Sequence, residues 1–302
     1  MAASVLTLIT ANAEVNAEPW ADAAARALDR LGAQLDAADW LAVRRAVDIP
    51  FDGLDPDQAE AAVRANLKLG FDGPPVDALA QLAAGRRKHL LLSDMESTVI
   101  ANEMLVEIAK LVGIEKRIAE ITRRTMNDEL DFAAALKERV ALLRGKPAAL
   151  LDQAAQRIRL IDGAKAMVAT MRRHGALTVL ASGGFTAFAE PVAKQLGFDR
   201  VFANRLLTED GKIADVAEPI LTRDSKLATL TQTAAERGLK LADTLAIGDG
   251  ANDLPMIGAA GLGIAFRSHP NVAPHARHRI DHADLTAALF AQGYRRDEIV
   301  GG

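Results

Sequence analysis

The chain has 302 residues, half of them hydrophobic and a quarter charged, which is material for about two domains of ~150 residues with ordinary globular cores. Its 36 Lys and Arg against 40 Asp and Glu leave a net charge of −4, and only 4% of residues are aromatic. That balance disfavours nucleic acid, since neither a phosphate-covering charge nor stacking platforms are supplied. Cysteine is absent, which removes disulfides, thiolate catalysis and every Cys-containing zinc site.

No stretch approaches the ~18 uncharged apolar residues of a spanning helix. Ala11-Asn12-Ala13 superficially resembles a signal cleavage site, but no Lys or Arg precedes it and the apolar run Val5–Ile9 is short for an h-region. A first strand over Val5–Ile9 and a cytoplasmic protein without a membrane partner are expected. Ala21–Leu31 reads as an amphipathic helix with Leu28 and Leu31 on one face. Trp40–Ile49 reads as a strand, and Asp55-Pro56 opens a second helix with Pro in its first turn. Gly70–Pro75 is turn-rich, so residues 1–85 are expected to form a small α+β unit, with a boundary near 85. The basic clusters, among them Arg86-Arg87-Lys88, read as solvated surface.

Beyond that boundary, over 86–302, apolar runs at His89–Ser93, Ala176–Ser182, Arg200–Ala203, Thr244–Gly248 and Gly261–Phe266 alternate with helical patterns. Those patterns are Ala164–His174, Thr186–Leu196, Ser225–Gly238 and Leu254–Ala260. The alternation predicts an α/β fold, a doubly wound parallel sheet covered on both faces. Between the first and second runs, about 101–163, lies an all-helical insert too long for a crossover, expected to be a helical cap. Three strands end in chemistry-bearing loops: Ser93-Asp94-Met95-Glu96-Ser97-Thr98, Ala181-Ser182-Gly183-Gly184 and Gly248-Asp249-Gly250-Ala251-Asn252-Asp253. Open parallel sheets bind ligands outside the carboxyl ends of their strands, so carboxylates, a hydroxyl and glycine-freed amides should converge there.

These segments in this order, with Lys226 in Arg-Asp-Ser-Lys and the Phe202-Ala-Asn-Arg stretch, resemble the haloacid-dehalogenase-like (HAD) phosphotransferase superfamily. The resemblance extends over 90–282 and is nearest to its phosphoserine phosphatases. It implies that Asp94 is a nucleophile whose carboxylate attacks phosphorus to give an aspartyl-phosphate. It also implies Mg²⁺ held by Asp94, Asp249 and the Glu96 carbonyl, with Asp253 on a coordinated water, a hard-oxygen set suited to that ion. Ser182, Gly183 and Lys226 would cradle the phosphoryl oxygens, with Asn252 assisting. On pattern alone, Lys226 could equally be a solvated helix lysine. Glu96 departs from the family, which has Asp two residues after the nucleophile as general acid and base. Glu performs the same proton chemistry, but its extra methylene moves the carboxyl by about an ångström, a displacement that can cost up to ~100-fold.

In the helix around Phe132–Leu143, Phe132, Leu136, Val140 and Leu143 form one stripe, and Arg139 intrudes on it. Its head could snorkel to solvent. The resemblance matches Arg139 instead to an arginine that clamps a substrate carboxylate, Glu103 to the residue holding the substrate ammonium, and Met126 and Phe132 to apolar positions closing over the site. O-phosphoserine is the substrate this implies, with release of phosphate as the last step of serine biosynthesis. A related bifunctional enzyme with an Asp-x-Glu arrangement leaves transfer to homoserine open, and a non-catalytic amino-acid sensor is the alternative from another class. Residues 1–85 are compatible with the ACT-like regulatory domain that similar phosphatases carry, and a homodimer is an open alternative. His269, His275, His278 and His282 read as exposed helix and loop rather than a metal site. Gly258, Gly261 and Gly263 lie outside the strand-then-helix context of a dinucleotide fingerprint.

Overall fold

The protein is described here by a computed structural model covering residues 2–126 and 129–301. The chain opens with β1 (Ser4–Thr10), α1 (Glu18–Asp29), β2 (Gln34–Leu35), β3 (Asp39–Ala42), β4 (Ala46–Asp52), α2 (Pro56–Leu67) and β5 (Val76–Leu82). These strands form an antiparallel sheet in the order β2-β4-β1-β5, with β3 also paired to β4. Alternation along the strands splits their side chains between two layers. Leu6, Leu8, Val47, Ile49, Phe51, Ala78 and Ala80 pack under α1 and α2, whereas Ile9, Leu41, Ala46 and Leu79 face the rest of the molecule. The α2 start is specified locally: the Asp55 carboxylate accepts from the Asp57 and Gln58 amides, and Pro56 occupies the first turn.

Three expectations change here. The first helix begins earlier, at Glu18, and ends before Leu31, which is 48% exposed, so Leu28 and small alanines carry its buried face. The stretch Trp40–Ile49 is not one strand but a reversal, with Arg44 at φ 63° between β3 and β4. The basic triplet is not solvated throughout. Arg86 pairs with buried Asp48 at 2.5 Å, and Lys88 is buried with its ammonium donating to the Gly85 and Ala242 carbonyls.

After β6 (Leu90–Ser93) come four helices, α3 (Met104–Val112), α4 (Glu115–Met126), α5 (Phe132–Ala141) and α6 (Ala149–Ala155). Then follow α7 (Ala164–Arg173), β7 (Leu177–Phe185), α8 (Thr186–Leu196), β8 (Arg200–Asn204), the hairpin β9 (Leu206–Glu209) and β10 (Lys212–Val216), and α9 (Arg223–Glu236). The chain ends with β11 (Thr244–Gly248), α10 (Leu254–Ala259), β12 (Leu262–Phe266), β13 (His278–Ile280) and α11 (Ala287–Ala291). Six strands form a wholly parallel sheet in the order β13-β12-β11-β6-β7-β8. Leu90, Leu92, Val179, Ala181 and Ala246 pack with α9 and α10 on one face; Leu91, Leu180, Leu245 and Ile247 pack with α7, α8 and α11 on the other. This is the doubly wound α/β sheet expected from the alternating runs. Strand order reverses between β6 and β11, which places a crevice at their carboxyl ends. At the opposite, amino end of β12, Gly261 and Gly263 serve packing: a Cβ would lie 2.0 Å from the Ala242 carbonyl oxygen and 1.8 Å from that of Ile257.

The insert is helical in its own elements, but β9–β10 from beyond β8 is bonded to it. Gly145 donates to Ile213, Ile213 to Lys146, and Ala148 to Gly211, each at 2.8 Å. The signal for this hairpin was Asp210-Gly211, both at positive φ (48° and 72°), the residue pair that a tight reversal favours.

β5 and β13 meet as sheet edges, with side chains between them instead of a ladder. Asp77 accepts from the amides of Asp281, His282 and Ala283; Glu60 accepts from the Ala80 amide, and Arg64 donates to the carbonyls of Ala78 and Arg279. Of the four histidines expected to be exposed, His269 and His275 are, whereas His278 and His282 are part of this joint. His278 is buried with Nδ1 2.7 Å from Glu60 Oε2, and His282 Nε2 lies 2.8 Å from the Gly70 carbonyl oxygen. Burial alone would raise the Glu60 pKa, but the bond and charge of His278, with Arg64, hold it below the usual range. A depressed folded value means the contribution is complete above the ordinary value of 4.5 and is lost as pH falls below it. Glu60→Gln is therefore expected to reduce unfolding free energy by about 3 kcal/mol near neutral pH. In urea titrations that gap should close below pH 4.5, and a gap independent of pH contradicts the ion pair.

Candidate active site

The crevice at the β6–β11 reversal collects side chains from five separate elements. Asp94 follows β6 directly, its amide donating to the Ile247 carbonyl on β11 at 2.9 Å, so the loop leaves in a fixed direction. Asp249 follows β11 and accepts from the Thr98 hydroxyl at 3.2 Å. Asp253, wholly buried at the start of α10, accepts from the Gly250 amide at 3.0 Å. Gly248 and Gly250 make room for this tight loop: a Cβ would lie 2.4 Å from the Asp253 carboxylate and 2.3 Å from Asn252 Oδ1. Carboxylate oxygens of Asp94, Asp249 and Asp253 lie within 4.8 Å of one another.

Lys226 is not a solvated lysine. It is 5% exposed, and its ammonium donates to Asp94 at 2.5 Å and to Asp253 at 2.6 Å. Burial would lower its pKa, but Asp253 and Asp94 hold it above the usual lysine value. One ammonium does not neutralise three carboxylates. Burial and then the Asp253 charge push Asp94 up to about 7 against the pull of Lys226. Burial with the charges of Asp94 and Asp253 pushes Asp249 up to about 8. A dry cluster of hard oxygen donors with unbalanced negative charge fits a divalent cation.

Ser182, Gly183 and Gly184 form a bulge where β7 parts from β8, and the Ser182 hydroxyl accepts from the Gly184 amide at 2.9 Å. Glycine leaves room for two side chains to approach the turn. A Cβ on Gly183 would lie 2.8 Å from the Phe132 ring, and one on Gly184 would lie 2.9 Å from Glu96 Oε2. A small cavity opens beside this turn, lined by Phe132, Ser182, Gly183, Ser225, Lys226 and Asn252.

Glu96 has a second engagement that its sequence position did not suggest. Its Oε1 accepts from the Met104 amide at 2.7 Å, so it caps the open N-terminus of α3. Burial and then the Glu103 charge push its pKa up to about 8. Glu103 is exposed at the N-cap of α3 and accepts from the Ser97 hydroxyl at 2.8 Å. Arg139 does not snorkel. It is partly buried on α5 and in electrostatic reach of Glu96 and Glu103, while burial lowers its pKa below the usual arginine value. The Met126 side chain lies outside the described residues. Thr98, Thr222 and Ser225 are further polar neighbours; Thr98 and Ser225 lay within the quoted motifs, and Thr222 did not.

Haloacid dehalogenase-like hydrolases match residues 91–258 as a family. The chain is similar to phosphoserine phosphatase SerB2 of Mycobacterium tuberculosis, 36% identical over 292 residues, 92% of this chain and 68% of that one. It is also similar to the phosphoserine phosphatase of Methanocaldococcus jannaschii, 37% identical over 205 residues, 68% of this chain and 97% of that one. The chain belongs to the phosphoserine phosphatase branch of the HAD-like hydrolases. The unliganded crystal structure of a probable phosphoserine phosphatase from Vibrio cholerae superposes with TM-score 0.76 at 28% identity, over 99% of this chain and 90% of that one. The chain spans 68%, 62% and 64% of the length of three bacterial relatives it matches.

The raised carboxylates predict a stability cost. Their folded pKa values lie above the ordinary ones, so stability present at low pH is lost as pH rises through 7 to 8 in the metal-free chain. Asp249→Asn is expected to stabilise the metal-free protein by about 2 kcal/mol near pH 8 and by less near pH 5. Thermal unfolding with and without Mg²⁺ checks this: the ion should stabilise the parent chain and leave the variant nearly unchanged.

Proposed function

We propose that the chain is a Mg²⁺-dependent phosphatase that hydrolyses O-phospho-L-serine to L-serine and phosphate through an aspartyl-phosphate on Asp94, the last step of serine biosynthesis. The observation that carries this reading is the Asp94 carboxylate held by Lys226 beside the Ser182–Gly184 turn, with Arg139 and Glu103 on the insert side. Asp94, Asp249 and the Glu96 carbonyl would hold Mg²⁺, with Asp253 on a bound water. When bound, the ion supplies the positive charge that lets a carboxylate approach a phosphate dianion.

In the first step an Asp94 oxygen forms a bond to phosphorus as the ester oxygen leaves. Glu96, carrying its proton because burial and the Glu103 charge raise its pKa to about 8, donates it to that oxygen. Glu96 then takes a proton from the attacking water, and phosphate departs from Asp94. Ser182, Gly183 and Lys226 hold the equatorial oxygens, and Asn252 helps to position them. Arg139 supplies a fork for the substrate carboxylate, and Glu103 receives its ammonium.

In the same reading α3–α6 are the cap, inserted at about 101–163, and Phe132 on α5 closes over the turn and excludes water during the first step. Residues 1–85 are an ACT-like regulatory domain, supported by an antiparallel sheet with two helices on one face, and 86–302 are the phosphatase core. No described helix is long and apolar enough to cross a membrane, and a cysteine-free chain suits the cytoplasm. The complete Asp94–Lys226–Asp253 set argues against a sensor with a degenerate core. Glu96 in place of Asp keeps homoserine as an acceptor worth testing.

Free phosphate should appear from O-phospho-L-serine with Mg²⁺, stop with a chelator, and be abolished by Asp94→Asn. Added homoserine should leave the phosphate free; phosphate on the alcohol instead identifies a transferase. Arg139→Ala should lower kcat/KM for phosphoserine by about 10- to 100-fold more than for a simple aryl phosphate. Equal losses on both substrates contradict a specificity role. Glu96→Gln should keep Mg²⁺ binding, measured calorimetrically, and lose turnover.

A further inference from the structure

The anion-side turn is a departure from its ladder, and something must hold it. Ala181 pairs with Phe202 and Phe185 with Asn204, so three residues, 182–184, stand opposite Ala203 alone. A bulge of this kind costs ladder bonds and re-aims the residues it contains. Buried carbonyls left by such a break need another donor.

Asn204 supplies it. The residue is 2% exposed, and its Nδ2 donates to the Gly183 carbonyl at 2.8 Å. Its Oδ1 accepts from the Leu221 amide at 2.7 Å. The second bond fixes the orientation of the amide, because a backbone N–H can only be met by the oxygen. Asn204 does not line the cavity, so it acts through what it holds.

What it holds is both walls. Between Asn204 and Leu221 the chain runs out through β9–β10 and returns, the base closed by the Ala217 amide donating to Arg205 at 2.8 Å. Leu221 leads directly into Thr222, the N-cap of α9, whose amide donates to the Ser225 hydroxyl oxygen at 2.9 Å. Lys226 follows in the same first turn. One side chain thus ties the Ser182–Gly184 turn to the segment that delivers Thr222, Ser225 and Lys226.

We propose that Asn204 is a positioning residue for phosphoryl binding: its amide sets the separation between the Gly183 turn and the start of α9. The proposal rests on the phosphatase reading only in taking that turn as the anion cradle. An amide is needed because one group must donate at one end and accept at the other. Aspartate keeps the shape and the bond to Leu221 but sets an acceptor against the Gly183 carbonyl.

Full-length Asn204→Asp and Asn204→Ala test this with Mg²⁺ present. The readouts are the thermal midpoint, kcat and KM for O-phospho-L-serine, and calorimetric affinity for inorganic phosphate. Asn204→Asp should fold and bind phosphate about tenfold more weakly, with kcat/KM lowered at least as much. Asn204→Ala should move the same way, and if it does not fold the aspartate variant decides. A lowered midpoint with phosphate affinity and kcat/KM unchanged would overturn the proposal and leave a purely structural link. If the parent chain hydrolyses no phosphoserine, the functional reading fails by itself. The phosphate titration still decides Asn204: tenfold weaker binding in the variant supports the role, and equal binding removes it.

Discussion

A buried ammonium between two buried carboxylates organises this molecule's chemistry. Lys226 lies against Asp94 and Asp253, which arrive from opposite sides of the point where strand order reverses. Removing one partner from such a cluster leaves charge uncompensated in a dry site, so the loops after β6 and β11 and the first turn of α9 are locked together. The negative charge that remains explains why the Asp94 and Asp249 carboxyls are pushed upward, and why the site suits a cation. A site built this way is preorganised for phosphoryl chemistry at the expense of folding stability, a trade common at functional centres.

The parallel sheet was legible because its strands are buried on both faces and so read as short apolar runs separated by helical periods. Lys226 was found through its neighbours in a motif, but its burial was not visible, since a lysine in a helix pattern carries no mark of the two carboxylates it meets. Arg139 shows the same limit: periodicity placed it on the apolar stripe, and only the fold turns it toward Glu96 and Glu103.

What was missed has a shared cause. β5 finds its partner β1 about 70 residues away, so its own short pattern carries little weight, and the local hairpin β9–β10 is marked only by Asp210-Gly211. His278 and the basic triplet were read as solvated because polar residues usually are. Instead the two sheets abut edge to edge, and His278, Glu60, Arg64 and Asp77 satisfy the backbone groups exposed along that line. Asn204 lay within a recognised stretch, yet its bonds to Gly183 and Leu221 depend on a bulge and a return path that no local pattern encodes.

The hairpin's bonds to residues 145–148 bear on modularity. The helical segment between β6 and β7 is contiguous in the chain, which invites treating it as a cassette to be trimmed or exchanged between homologues. Excision would strand Gly211 and Ile213 without partners, on a strap whose root is Asn204. Any graft of that segment must therefore carry 205–217 with it, as one unit encoded in two places.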